Sequence, residues 1–320
     1  MSYHPRLDEH GFPIPPTFDD DVPRRPRGSF LTATVRSLLV LAFIGLLAGW
    51  AWKSDLASDV RRLMARRLIS NAAHKYRNLG DAPGALADLD RAAIWAPNEA
   101  VIYGFRAEVR FTQGDITGCL SDLNQTIRLS PRYSRAYLLR SQVYQRLDRH
   151  RDAIDDLTKA IHLSPSRDTL TRNNRAYARA VANVEIDEAL VDVQQALDFI
   201  EQDLAEAQRG FNQAETADLT EQKATYLDTR GYIYFRQGKQ EAALADLNQA
   251  IELTNTYYEQ KLAMEQPARR PALQKQYDQV FAVMYHHRGL VYEKLGRPSE
   301  AKSDLDHGDS LGYNPAAGVF

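Results

Sequence analysis

Small and branched apolar residues recur along the middle of the chain in steps of four and three. Ala85, Leu89 and Ala92 are followed by Cys119, Leu123 and Thr126, and then by Ala153, Leu157 and Ala160. Spacings of i, i+4 and i+7 place each triplet on one face of a helix. Each triplet is closed by a proline, and Pro97, Pro131 and Pro165 stand 34 residues apart. Proline cannot continue a helix interior, so the three mark repeated helix exits. The period predicts a chain of helix pairs in which each unit packs mainly on its neighbours.

Inside each unit the sequence supplies a break between the two helices. Leu79-Gly80-Asp81 and Gln113-Gly114-Asp115 join a glycine, which can leave a helix left-handed, to an aspartate that can cap the next one. The third break, Leu147-Asp148-Arg149, lacks the glycine. A fourth pair begins near Asp168, with Asn174-Arg175-Ala176-Tyr177 on its first helix and Ala189, Val193 and Ala196 on its second. Its turn, near Asn183 and Val184, is one residue longer. The fifth pair reads Arg230-Gly231-Tyr232-Ile233-Tyr234, then Gln237-Gly238-Lys239, then Ala243, Leu247 and Ala250. The sixth repeats it with Arg288-Gly289-Leu290-Val291-Tyr292, Leu295-Gly296-Arg297, Ala301 and Leu305, and Gly308 stands where Ala is expected.

Over residues 66–311 this recurrence resembles the tetratricopeptide repeat family. The resemblance implies an all-α fold, a right-handed superhelix of about six helix pairs (an α-solenoid), with a concave groove that binds a protein or extended peptide. It also implies that groove-facing residues come from the first helix of each pair. Here those are Arg67, His74, Glu108, Phe111, Arg135, Gln142, Asn173, Tyr177, Asp228, Tyr232 and Phe235. One subclass of the family grips a C-terminal carboxylate with Lys, Asn and Arg. Arg67, Asn71 and Arg135 give fragments of that chemistry, but Glu108 would repel an anion, so no such clamp is expected.

Two insertions interrupt the period, between Ala196 and Tyr226 and between Ala250 and Tyr285. The first carries Leu197, Ile200, Leu204, Ala207 and Phe211 in heptad-like steps, so its helix should run on past the repeat. The second has Pro267 and Pro271 bracketing a turn. Both read as lengthened antiparallel hairpins, used either as packing surface for neighbouring units or as a docking arm. A tail, 312–320, follows the array.

The amino-terminal part differs in composition. Residues 1–29 hold six prolines and short acidic and basic runs, a composition that cannot bury a core. Residues 31–52 are predominantly apolar with Arg36 as the only charge, long enough for a bilayer core of about 30 Å, and Trp50, Trp52 and Lys53 could form an interfacial belt. This predicts a transmembrane helix at 30–53 and a connecting segment at 54–65. The expected location is single-pass, as in a bacterial inner membrane, with the N-terminus cytoplasmic and the repeats extracytoplasmic. A cleaved signal peptide is the competing reading, but the apolar run is longer than such a segment needs. Gly45 and Gly49 have the spacing that lets two membrane helices approach, which offers a homodimer contact.

Charge and chemistry narrow the function. Forty basic against forty-two acidic residues leave no net field for nucleic acid. The single Cys119 excludes an internal disulfide and falls at a small-residue core position. His286 and His287 are adjacent and diverge by about 100° on a helix, so they are not a metal pair. Asp155-Asp156 and Asp304 with Asp306 read as a solvated face. No phosphate loop, HExxH or GxSxG occurs, and no enzyme, cofactor or metal is expected. The sequence therefore points to a membrane-anchored protein-interaction scaffold, or alternatively to a structural subunit of an envelope or membrane assembly.

Overall fold

The computed structural model describes residues 37–45, 55–164 and 168–313, and among these there is no strand. The chain divides into two units, Met1–Leu63 and Met64–Phe320. In the first, residues 37–45 are helical with exposed side chains. The expected membrane crossing is corrected here: among the described residues no helix is long and apolar enough to cross a membrane. The rest of the expected span, 31–36 and 46–52, lies outside the described residues, and so does Gly49 of the expected dimer contact. The single-pass location, its orientation and the lipid partner fall with the span.

The helices that follow are α1 (Asp55–Leu79), α2 (Ala82–Trp95), α3 (Ala100–Thr112), α4 (Ile116–Leu129), α5 (Ser134–Arg146) and α6 (His150–Leu163). They continue with α7 (Thr169–Ala182), α8 (Ile186–Arg209), α9 (Gln213–Arg236), α10 (Gln240–Met264), α11 (Arg270–Lys294) and α12 (Pro298–Ser310). They form six consecutive pairs, and the segment expected to connect at 54–65 lies, from Asp55 on, within α1 itself. Local chemistry sets the boundaries. Asp81 and Asp115 accept hydrogen bonds from Gly84 N and Gly118 N at 2.8 and 2.9 Å, capping α2 and α4. In the third pair Asp148 takes the left-handed conformation, φ 55°, that glycine supplies at Gly114, φ 76°. That costs on the order of 1 kcal/mol, which neighbouring packing absorbs.

The periodic triplets are the core. Ala85, Leu89, Ala92, Cys119, Leu123, Thr126, Ala153, Leu157 and Ala160 are all buried. At Gly308 an added Cβ would lie 2.9 Å from the Ala282 carbonyl oxygen, which explains why the sixth pair departs from the expected alanine.

A second repeated element is polar. In five successive pairs an arginine of the first helix donates two hydrogen bonds to an aspartate of the second. The pairs are Arg106–Asp122, Arg140–Asp156, Arg175–Asp192, Arg230–Asp246 and Arg288–Asp304, with distances of 2.6–2.9 Å. The remaining guanidinium nitrogen reaches back to the preceding pair, onto Asp90, Asn124, Thr158, Gln194 and Asn248 in turn. Each arginine thus ties its own two helices to the unit before. This corrects the reading of a solvated acidic face: Asp156 and Asp304 are buried, while Asp155 and Asp306 are exposed. A fork of N–H donors permits the burial, since an unpaired carboxylate could not be taken out of water.

The lengthened hairpins fold back on one another. Tyr257 and Tyr277, from α10 and α11, donate hydrogen bonds to Asp218 and Glu221 of α9 at 2.8 and 2.6 Å. Tyr257, Tyr277 and Phe281 form an aromatic cluster at this contact. The long helices therefore bury surface between the fifth and sixth pairs, while the hairpin ends leave Phe211 and Met264 exposed.

Candidate functional site

The first helices of the four leading pairs, α1, α3, α5 and α7, line two adjoining cavities. One, of about 280 Å3, is bounded by Ile69, Ala73, Arg77, Val101, Phe105 and Tyr133. The other, of about 510 Å3, is bounded by Phe111, Thr112, Leu138, Gln142, Asp168 and Leu170. Glu108, Arg135 and Leu139 belong to both, so the two make one groove that crosses successive repeats. Its direction follows from repetition, because each unit offers the same face of its first helix.

The groove has an apolar floor and a polar border. Val101 and Leu170 are each 44% exposed, which is unusual for large apolar side chains inside a concave surface. Arg135 donates to both carboxylate oxygens of Glu108 at 3.3 Å. The Arg77 guanidinium lies 5.8 Å from the centre of the Phe105 ring, and that of Arg146 lies 4.0 Å from Phe111. At the edge, Tyr76 donates to Thr112 Oγ1 at 3.0 Å, tying α1 to α3. Asp168 is engaged by the Thr171 backbone N–H at 3.0 Å, where it caps α7.

Of the residues expected in the groove, Glu108, Phe111, Arg135 and Gln142 line it together. Arg67 and His74 do not: they sit on an exposed face of α1, about 100° or more round the helix from the row of Ile69, Ala73 and Arg77. His74 instead pairs with Asn78 at 3.0 Å. The remaining five belong to a separate, largely buried region of α7 and α9. Asn173 is buried and its side-chain amide has no hydrogen-bond partner among the described residues. Asp228 is wholly buried, with its carboxylate 3.0 Å from His287 Nδ1 of α11. His287 stacks on Tyr232 at 4.3 Å between ring centres, and Tyr177 approaches both. Phe235 stacks on Tyr232 in turn. Here facing first helices pack on each other rather than opening a surface.

Arg77 and Phe105, which are not among the expected groove residues, also line the groove, and Arg146 lies beside it over the Phe111 ring. Arg77 and Phe105 stand on the inward rows of α1 and α3, a signal in the helical phase once α1 is known to be continuous. Among the described residues no group of three or more His, Cys, Asp or Glu is placed to hold a metal ion. Cys119 is fully buried, and burial pushes its thiol up to about 12, so little thiolate forms near neutrality.

Comparison with known proteins agrees with this architecture. A model of the tetratricopeptide repeat matches residues 134–167, 224–257 and 282–311, which lie in the third, fifth and sixth helix pairs. No curated protein matches the sequence. Among solved structures, a chain of the APC/C hetero-tetramer Cut9–Hcn1 shares the fold with 15% identity and a TM-score of 0.53, over 81% of this chain and 45% of that one. A tetratricopeptide repeat protein from Parabacteroides merdae matches with 16% identity and a TM-score of 0.47, over 79% of this chain and 94% of that one. PilW, described as a widely conserved type IV pilus biogenesis factor, matches with 13% identity and a TM-score of 0.47, over 82% and 98% respectively. The chain therefore carries tetratricopeptide repeats in an all-helical solenoid.

Proposed function

We propose that the protein is a non-catalytic interaction scaffold that holds an extended segment of a partner protein in the groove lined by α1, α3, α5 and α7. The observation that carries this reading is the continuity of the groove, in which two cavities share Glu108, Arg135 and Leu139. A chain laid along it would touch an apolar floor at Val101 and Leu170 and hydrogen-bonding groups at its border. Preformed helices supply this surface without an ordering cost on the scaffold side.

The test is selection of peptides from a random library on the full-length chain. Peptides recovered on the wild type are expected to lose binding to Val101→Asp and Leu170→Asp, whose exposed positions leave the fold intact by circular dichroism. Recovery of peptides that bind both variants as well as the wild type would place the binding surface elsewhere.

A further inference from the structure

The middle helix of the groove, α3, presents Phe105, Glu108 and Phe111 in steps of three, and each meets an arginine from a neighbouring helix. Arg77 of α1 lies over Phe105, Arg135 of α5 pairs with Glu108, and Arg146 of α5 lies over Phe111. Glu108 neutralises Arg135. Arg77 and Arg146 have no ion-pair partner among the described residues, and an aromatic face orients a guanidinium without cancelling its charge. Their edge N–H groups remain suited to paired bonds with a carboxylate. The other acid at the groove, Asp168, is engaged in capping α7.

The charge of the array points the same way. Residues 64–164, which include α2 to α6, carry fifteen Lys and Arg against eleven Asp and Glu. Residues 168–313 carry sixteen against twenty-four. The first three pairs are thus positive and the fourth to sixth negative, so an anionic segment is drawn to the part of the groove formed by α1, α3 and α5 and repelled from the rest of the array.

Resting on the reading that the groove holds a peptide, we propose that its ligand is an acidic and apolar segment that offers one carboxylate to Arg77 and one to Arg146. Arg77 belongs to α1 and Arg146 to α5, the two helices that meet α3 along the groove, so a chain crossing α3 meets the two guanidiniums in turn and offers one carboxylate to each. The Glu108–Arg135 pair between them offers no free positive charge to a third acid, and apolar side chains fill the intervening positions. Recognition is of internal side chains and needs no chain terminus.

Fluorescence anisotropy on the full chain tests this with three labelled, C-terminally amidated peptide pools. Each pool has variable Leu, Ile and Phe around two positions at varied spacing, both occupied by Asp, by Asn or by Lys. The Asp pool is expected to bind about tenfold more tightly than the Asn pool and to weaken between 0.05 and 0.5 M salt. Arg77→Glu with Arg146→Glu, both exposed positions, should abolish that preference and favour the Lys pool. Equal or tighter binding of the Asn or Lys pool, itself lost in Val101→Asp, would overturn the acidic preference and leave the groove reading standing. Asp-pool binding untouched by the double reversal would also overturn it. Binding of no pool that responds to Val101→Asp would remove this proposal and the groove reading together.

Discussion

Asp155 and Asp156 are adjacent and chemically identical, yet the structure gives them opposite fates. Asp156 is buried and accepts two hydrogen bonds from Arg140, at 2.7 and 2.8 Å, while Asp155 is exposed. Replacing Asp156 by Ala removes both bonds and leaves a mostly buried guanidinium with its bond to Asn124 and the Tyr137 and Tyr144 rings at 5.7 and 5.6 Å. Removing one partner of a buried pair costs roughly 3–5 kcal/mol. Because the Arg140 side chain keeps 17% of its exposure, water recovers part of that loss, and about 3 kcal/mol is the reasonable figure. For an array of this size that corresponds to a fall in Tm of about 6–12 °C. Asp155→Ala should stay within about 0.5 kcal/mol of wild type. Paired urea titrations followed by circular dichroism, with slopes compared to confirm that cooperativity is unchanged, measure the difference. Equal midpoints for the two variants would refute the buried arginine–aspartate ladder as a source of stability.

Two further substitutions probe the packing. Gly231→Ala places a Cβ 2.8 Å from Leu247 Cγ and 3.2 Å from the Ala243 carbonyl oxygen, so thermal melts should show a loss of about 1–3 kcal/mol; an unchanged Tm would mean that the fifth helix crossing is looser than described. His286, stacked on Tyr313 at 3.8 Å, has its pKa lowered by burial and then by neighbouring His287. The unfolded chain therefore binds this proton more readily, so stability is full above about pH 6.5 and is lost as pH falls towards the lower folded value. The fall in Tm between pH 7.5 and pH 5 should be smaller in His286→Phe than in wild type, and an identical fall would contradict the assignment.

Much of the fold was legible in the residues because it is written in local spacings. Ala85, Leu89 and Ala92 fix a helical face without reference to anything distant, and their repetition supplies the stacking. The arginine–aspartate ladder was harder to read, because Asp156 and Asp304 look like surface acids until the arginine sixteen residues earlier is brought beside them by pairing of the two helices. The groove was half legible. Glu108, Phe111, Arg135 and Gln142 follow from helical phase within regular units, whereas Arg67 and His74 missed because α1 is one long helix whose phase the turn at Gly80 does not set. Asp228 and Tyr232 sit at similar positions, but Tyr177 and His287 from neighbouring first helices close over them. That is a tertiary effect which no single repeat encodes. The apolar run near the N-terminus carried a length argument alone, and among the described residues no helix is long and apolar enough to cross a membrane.

If the inner groove is the working surface, a bound partner must touch its lining. The most direct test is photocrosslinking in the native cell, with a photoreactive amino acid placed singly at Val101, at Leu170 and at Ile94. All three are exposed, but the first two line the groove while Ile94 lies on α2, the second helix of its pair. Discrete protein adducts are expected from Val101 and Leu170, suppressed by Arg77→Glu with Arg146→Glu, and none from Ile94. Adducts from Ile94 with none from the groove positions would contradict the groove reading.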